Sequence, residues 1–97
     1  YDTNPSLIEN WNQGCPIHEQ GLEEILSKTK HKNLFFTSKL EEALEETDII
    51  YVAVPTPTKL HGEGSGRAYD MSFIESVARC ISSYYKDKEL QKEVVIV

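Results

Sequence analysis

Residues 48–58, "DIIYVAVPTPT", decide the fold. After Asp48 comes a near-continuous apolar run, Ile49-Ile50-Tyr51-Val52-Ala53-Val54, closed by two prolines. A strand of that pattern is expected to be buried on both faces, as in a parallel sheet covered by helices. The run Glu93-Val94-Val95-Ile96-Val97 repeats the pattern and predicts a second such strand. Between them, Asp70 can cap a helix whose inner face is Met71, Ile74, Val77, Ala78 and Ile81.

Upstream, the same alternation continues. Asn4 and Pro5 read as N-cap and first helical residue, with Leu7, Ile8 and Trp11 as an apolar stripe and Gly14 placed to stop the helix. A connector, residues 15–20, leads to a second helix with Leu22, Ile25 and Leu26 on its core face. Asn33-Leu34-Phe35-Phe36-Thr37 reads as a short strand. Ser38-Lys39-Leu40-Glu41 matches a capping box and predicts a helix with Leu40, Ala43 and Leu44 facing inward. Strands alternating with helices give an α/β fold, a doubly wound, mostly parallel sheet. Starting on Tyr-Asp and stopping inside a strand, residues 1–97 are expected to be an excerpt of a larger protein, because bare strand edges invite aggregation.

Composition narrows the function classes. Ninety-seven residues hold at most one small domain. The net charge of −6 argues against nucleic acid, whose phosphates need clustered Lys and Arg. The acids fall mostly in predicted helices and read as solvated faces. No apolar run approaches the roughly 20 residues of a membrane span, and the N-terminus lacks the basic and apolar segments of a signal peptide. Cys15 and Cys80, without a C-x-x-C, fit reduced thiols and a cytoplasmic setting. His18, His31 and His61 are too scattered for a metal site, so none is expected.

Gly62, Gly64 and Gly66 invite comparison with a phosphate-binding turn. Such a turn joins strand directly to helix. Here seven residues separate Val54 from Gly62, the spacing is G-x-G-x-G, and no Lys-Ser or Lys-Thr follows. A flexible surface loop is the expectation, with Lys59 and Arg67 beside it for contact with a partner or an anion. The turn Val54-Pro55-Thr56-Pro57-Thr58 lies at the carboxyl end of the most apolar strand, where doubly wound sheets bind ligands. Its prolines fix the backbone and its threonine hydroxyls can meet a sugar or phosphate, so it is either a rigid turn or a ligand contact. Asp2 is either a cap or the acid that accepts hydrogen bonds from an adenosine ribose.

"YDTNPSLIENWNQGCPIHEQGLEEIL", "NLFFTSKLEEALEETDIIYVAVPTPTK" and "GEGSGRAYDMSFIESVAR" together cover essentially the whole chain. In that order they resemble three consecutive segments of the UDP-glucose 6-dehydrogenases, in the UDP-glucose/GDP-mannose dehydrogenase family. The resemblance implies part of a Rossmann domain that binds NAD, with the first strand and its glycine-rich turn upstream of Tyr1. It implies that Asp2 is the ribose-binding acid, and that Val54, Pro55, Thr56, Pro57 and Thr58 line the adenosine and pyrophosphate side of NAD. No residue of the chain matches the family's catalytic cysteine, lysine or aspartate. Residues 53–75 match a region near subunit contacts, which implies a homo-oligomer. Leu7 stands where the family often has Arg, Pro55 where Asn is common, and His18 and Gln20 where Tyr and Pro are usual.

The implied activity of the whole enzyme is oxidation of UDP-glucose to UDP-glucuronate in two hydride transfers to NAD, linked by a cysteine thiohemiacetal. Rivals are a UDP-N-acetylmannosamine or GDP-mannose dehydrogenase, and a non-catalytic nucleotide-binding or interaction module that kept the fold.

Overall fold

Asn4 and Pro5 start the first helix as their chemistry requires. In a computed structural model, which describes residues 1–88 and 93–97, α1 spans Pro5–Gln13. Pro5 lacks the N–H that a first-turn residue cannot use, and the Asn4 side chain accepts from the Ser6 and Leu7 amides. The helix ends at Gly14, whose backbone is extended (φ −168°). Any residue could adopt that conformation, so the stop does not depend on a left-handed glycine. The helices α2 (Leu22–Thr29) and α3 (Leu40–Leu44) follow, then β1 (Ile49–Ile50), α4 (Ser72–Asp87) and β2 (Val95–Ile96).

The chain divides into two compact units, Tyr1–Glu45 and Glu46–Val97. In the first, each helix contributes one buried apolar residue: Ile8 from α1, Leu26 from α2 and Leu44 from α3. Side chains then tie the pieces together. The Lys30 ammonium donates to the carbonyls of Trp11 (3.2 Å) and Asn12 (2.8 Å), placing a cation on acceptors at the end of α1. The Trp11 ring stacks on Phe36 at 5.2 Å between centroids, and the Asn12 side-chain amide donates to the Phe36 carbonyl.

Two local expectations for this unit are corrected. The capping box on Ser38 does not form: Lys39 is the N-cap of α3 and no side chain caps it. One residue earlier, the Thr37 hydroxyl accepts from the Lys39 amide (3.1 Å) and donates to Glu42 (2.7 Å). Hydrogen bonds from the Lys39 ammonium and then from Thr37 hold Glu42 below the ordinary carboxylate range. The expected strand at Asn33–Thr37 is reduced to a single parallel bridge between Lys30 and Leu34 and one backbone bond, Asp2 N–H to the Thr37 carbonyl (3.3 Å). A strand is defined by its ladder, and Phe35–Thr37 has none among the described residues. Phe35 is accordingly 65% exposed.

The second unit holds the parallel pair expected from the two apolar runs. β1 and β2 align Ile49 with Val95 and Ile50 with Ile96. Bonds from Val95 N to Asp48 O, Val97 N to Ile50 O and Val52 N to Val97 O continue the slanted parallel pattern past the named strands. Burial on both faces is not observed: Ile49 is 53% and Tyr51 76% exposed. Two strands form no interior strand, and double burial needs layers above and below. In α4 the half-buried or buried residues are Ile74, Val77, Ile81, Tyr84 and Tyr85. Met71 precedes the helix, and Ala78 is exposed, so both leave the expected inner face.

Candidate functional site

Asp2 lies in the first unit, half-buried, two residues before the α1 cap. Its Oδ1 accepts the Asn4 amide at 2.8 Å, and its own N–H donates to the Thr37 carbonyl. The second oxygen, Oδ2, carries no hydrogen bond among the described residues. The carboxylate is thus anchored by one oxygen and has the other to offer. That arrangement suits acceptance of a hydroxyl proton.

Val54–Thr58 belongs to the second unit and links β1 to the glycine loop. Val54 is half-buried, while Pro55, Thr56, Pro57 and Thr58 are exposed. The threonine side chains carry no hydrogen bond among the described residues. Thr58 and Tyr69 form an antiparallel bridge, flanked by Asp70 N–H to Pro57 O (2.7 Å) and Lys59 N–H to Ala68 O (2.8 Å). In that pattern Thr58 is a non-hydrogen-bonded pair member, so its own N–H and C=O point away from Tyr69. Two prolines stiffen the turn, and the bridge fixes its far end. The segment is therefore a rigid turn that presents unengaged hydroxyls, as a ligand contact needs.

The glycines do something other than cradle phosphate, and the loop they form is closed. Gly62, Gly64 and Gly66 all have φ between +74° and +81°. Their turns let Ser65 N–H bond Gly62 O, Gly66 N–H bond Lys59 O, and both Arg67 and Ala68 N–H bond Gly64 O. The Ser65 hydroxyl adds a bond to the Leu60 carbonyl. Those four amides are spent inside the loop and cannot also grip an anion. Gly64 is the strictest position, because a Cβ there would lie 2.8 Å from the Ala68 Cβ as well as in left-handed backbone. Gly64→Ala is expected to destabilise the loop by about 1–2 kcal/mol from backbone strain alone, with the Ala68 clash added. Gly62→Ala carries only the strain, since its Cβ would meet open space. Hydrogen exchange of the Arg67 and Ala68 amides should rise more for Gly64→Ala than for Gly62→Ala; equal rates would refute the contact.

Asp70 joins this loop to α4. Its Oδ1 accepts the Ser72 amide at 3.0 Å, so it serves the helix start from just outside the Met71 cap position. Bonds from the Ser72 backbone, then the Ser72 side chain, with Lys59 nearby, hold its carboxyl below the ordinary value of 3.8. A depressed carboxyl stabilises the fold above its unfolded pKa, and that stability is lost as pH falls through the folded value. An NMR titration should therefore place the Asp70 midpoint below 3.8. Ser72→Ala should move it upward while leaving the backbone contribution; an Asp70 midpoint at or above the ordinary value would contradict the junction described.

Elsewhere the chemistry is quiet. The Cys15 thiol donates to the Ile17 carbonyl, and Cys80 is exposed. Among the described residues no group of three or more His, Cys, Asp or Glu is placed to hold a metal ion, and no helix is long and apolar enough to cross a membrane. Two residues that sequence reasoning left out support these segments, each within its own unit: Asn4 for Asp2 and Tyr69 for Thr58. Neither had a signal in the sequence: the first contact is made by a backbone amide that any residue but proline could supply, and the second needed the loop to close.

Comparison with known proteins bears on both segments. Residues 1–97 match the family model described as "UDP-glucose/GDP-mannose dehydrogenase family, NAD binding domain". The chain is 44% identical over 84 residues to a UDP-glucose 6-dehydrogenase of Caenorhabditis elegans, covering 86% of this chain and 18% of that protein. With the enzyme of that name from Drosophila melanogaster it shares 40% over 93 residues, 95% of this chain and 20% of the relative. With that from Pongo abelii it shares 44% over 81 residues, 82% of this chain and 16% of the relative. The chain thus spans a fifth or less of the length of the curated relatives it matches.

Proposed function

The chain belongs to the UDP-glucose/GDP-mannose dehydrogenase family, through its NAD-binding domain, and from that premise we propose that residues 1–97 are part of a longer NAD-dependent UDP-glucose 6-dehydrogenase. The whole enzyme oxidises the C6 alcohol of UDP-glucose to a carboxylate, passing one hydride to each of two NAD. The observation that carries this reading is the 40–44% identity to proteins of that name over most of the chain.

Within it, this segment binds cofactor and performs no step of the hydride transfer. Asp2 accepts the adenosine ribose hydroxyls through its unengaged oxygen, and Val54, Pro55, Thr56, Pro57 and Thr58 line the adenosine and pyrophosphate side of NAD. Charge supports NAD over its 2′-phosphorylated form: residues 1–27 contain five acids and no Lys or Arg, and the Asp2 carboxylate itself would repel an added 2′-phosphate. The closed loop after Thr58 contacts a neighbouring subunit of a cytoplasmic homo-oligomer.

The test is turnover by the full-length protein. Incubated with UDP-glucose and NAD, it should yield two NADH per UDP-glucuronate formed. Preference for GDP-mannose or UDP-N-acetylmannosamine under the same conditions would reassign the substrate. A full-length protein that binds no NAD would sink the proposal.

A further inference from the structure

We infer that Asn4 is a positioning residue for the ribose-binding carboxylate, so that the helix cap of α1 sets the geometry with which Asp2 meets the 2′-hydroxyl of NAD. The inference rests on the proposal that Asp2 takes the adenosine ribose. Its own support is the chain of contacts through residue 4. The Asn4 N–H donates to Asp2 Oδ1 at 2.8 Å, and the Asn4 side-chain oxygen accepts from Ser6 N (3.0 Å) and Leu7 N (3.3 Å). One residue thus grips the carboxylate with its backbone and the helix with its side chain.

Two constraints fix the backbone of residue 4 in its extended conformation, φ −90° and ψ 105°. Pro5 disfavours the helical region for the residue before it. The side-chain bonds to Ser6 and Leu7 then hold Asn4 against the helix end, where two orphan amides need acceptors. Asp2 is held from the other side by its N–H to the Thr37 carbonyl. With Oδ1 committed, Oδ2 is the oxygen left to a ligand, and its direction follows the Asn4 amide. Loss of the Asn4 side chain keeps that amide but releases the backbone that aims it. Hydrogen bonds weaken steeply when misdirected, so discrimination for the hydroxyl should fall before general affinity does.

The experiment uses the full-length protein and two probes, NAD and its analogue lacking the 2′-hydroxyl of the adenosine ribose. The parent should favour NAD by roughly ten-fold or more, as expected for a hydrogen bond to a charged group. In Asn4→Ala that ratio should drop several-fold, and in Asn4→Ser, which keeps a capping oxygen, it should be restored. Asn4→Gly covers the case in which Asn4→Ala does not fold, because glycine at an N-cap is nearly as stable as the native residue; the ratio should drop there too. A merely structural role for Asn4 lowers both affinities together and leaves the ratio unchanged, which would overturn the inference. Asp2→Ala separates the two levels: a ratio near one there sustains the ribose assignment, and an unchanged ratio in Asp2→Ala removes that assignment itself.

Discussion

Replacing Asp2 by alanine is expected to weaken NAD binding to the full-length protein by roughly 10- to 100-fold. A hydrogen bond to a charged group contributes about 1.5–3 kcal/mol, and each 1.4 kcal/mol is about ten-fold in affinity. The loss should fall on binding rather than folding. Asp2 supports the local turn through the Asn4 amide, but the first turn of α1 is capped by the Asn4 side chain, which the substitution leaves in place. Asp2→Asn keeps an acceptor at the same reach and should lose less, since only the charge is removed. Calorimetric titration of NAD, with the unfolding midpoint measured alongside, distinguishes the two effects. An unchanged Kd in a folded Asp2→Ala protein would end the ribose assignment.

The largest effect on stability is expected from Leu44→Ala, about 2–5 kcal/mol for a buried leucine. Helix α3 has only five residues, far below the roughly 12–15 at which an isolated helix becomes even marginal. Its persistence therefore depends on what its apolar side chain buries, and Leu44 is 4% exposed. With typical domain stability of about 5–15 kcal/mol, a loss of this size is a large fraction of the whole. Ile25→Ala is the internal control, because Ile25 is 58% exposed and surface changes usually stay within about 0.5 kcal/mol. Urea denaturation of both variants should separate them clearly. Equal losses would mean that Leu44 does not anchor α3.

What the sequence discloses depends on how local its cause is. The start of α1 rests on Asn4 and Pro5, adjacent residues acting on the next turn, and it stands as expected. The parallel pairing of Ile49–Ile50 with Val95–Ile96 follows from the apolar character of both runs. Burial is another matter. Ile49 and Tyr51 have the composition of doubly covered strand residues, but cover comes from other segments, and hydropathy cannot say whether these are present. The capping box on Ser38 did not form because α3 starts one residue later, at the Lys39 cap, whose own amide is taken by the Thr37 hydroxyl. Val54–Thr58 stood out by its place after the most apolar strand, as a rigid turn or a ligand contact, and Asp2 was ambiguous between cap and ligand; the family resemblance is what pointed both to the cofactor. The Asp2 bond to the Asn4 amide was invisible beforehand because it requires the backbone at residue 4 to be already in place.

The closed loop after Thr58 divides its labour between main chain and side chains. Its closure uses backbone donors and acceptors, three left-handed glycines and one serine hydroxyl. Leu60, His61 and Glu63 are exposed and contribute no side-chain bond to that closure. Their identities can drift through evolution while the outline of the loop stays constant. A surface built in this way can be rewritten letter by letter without putting the scaffold beneath it at risk.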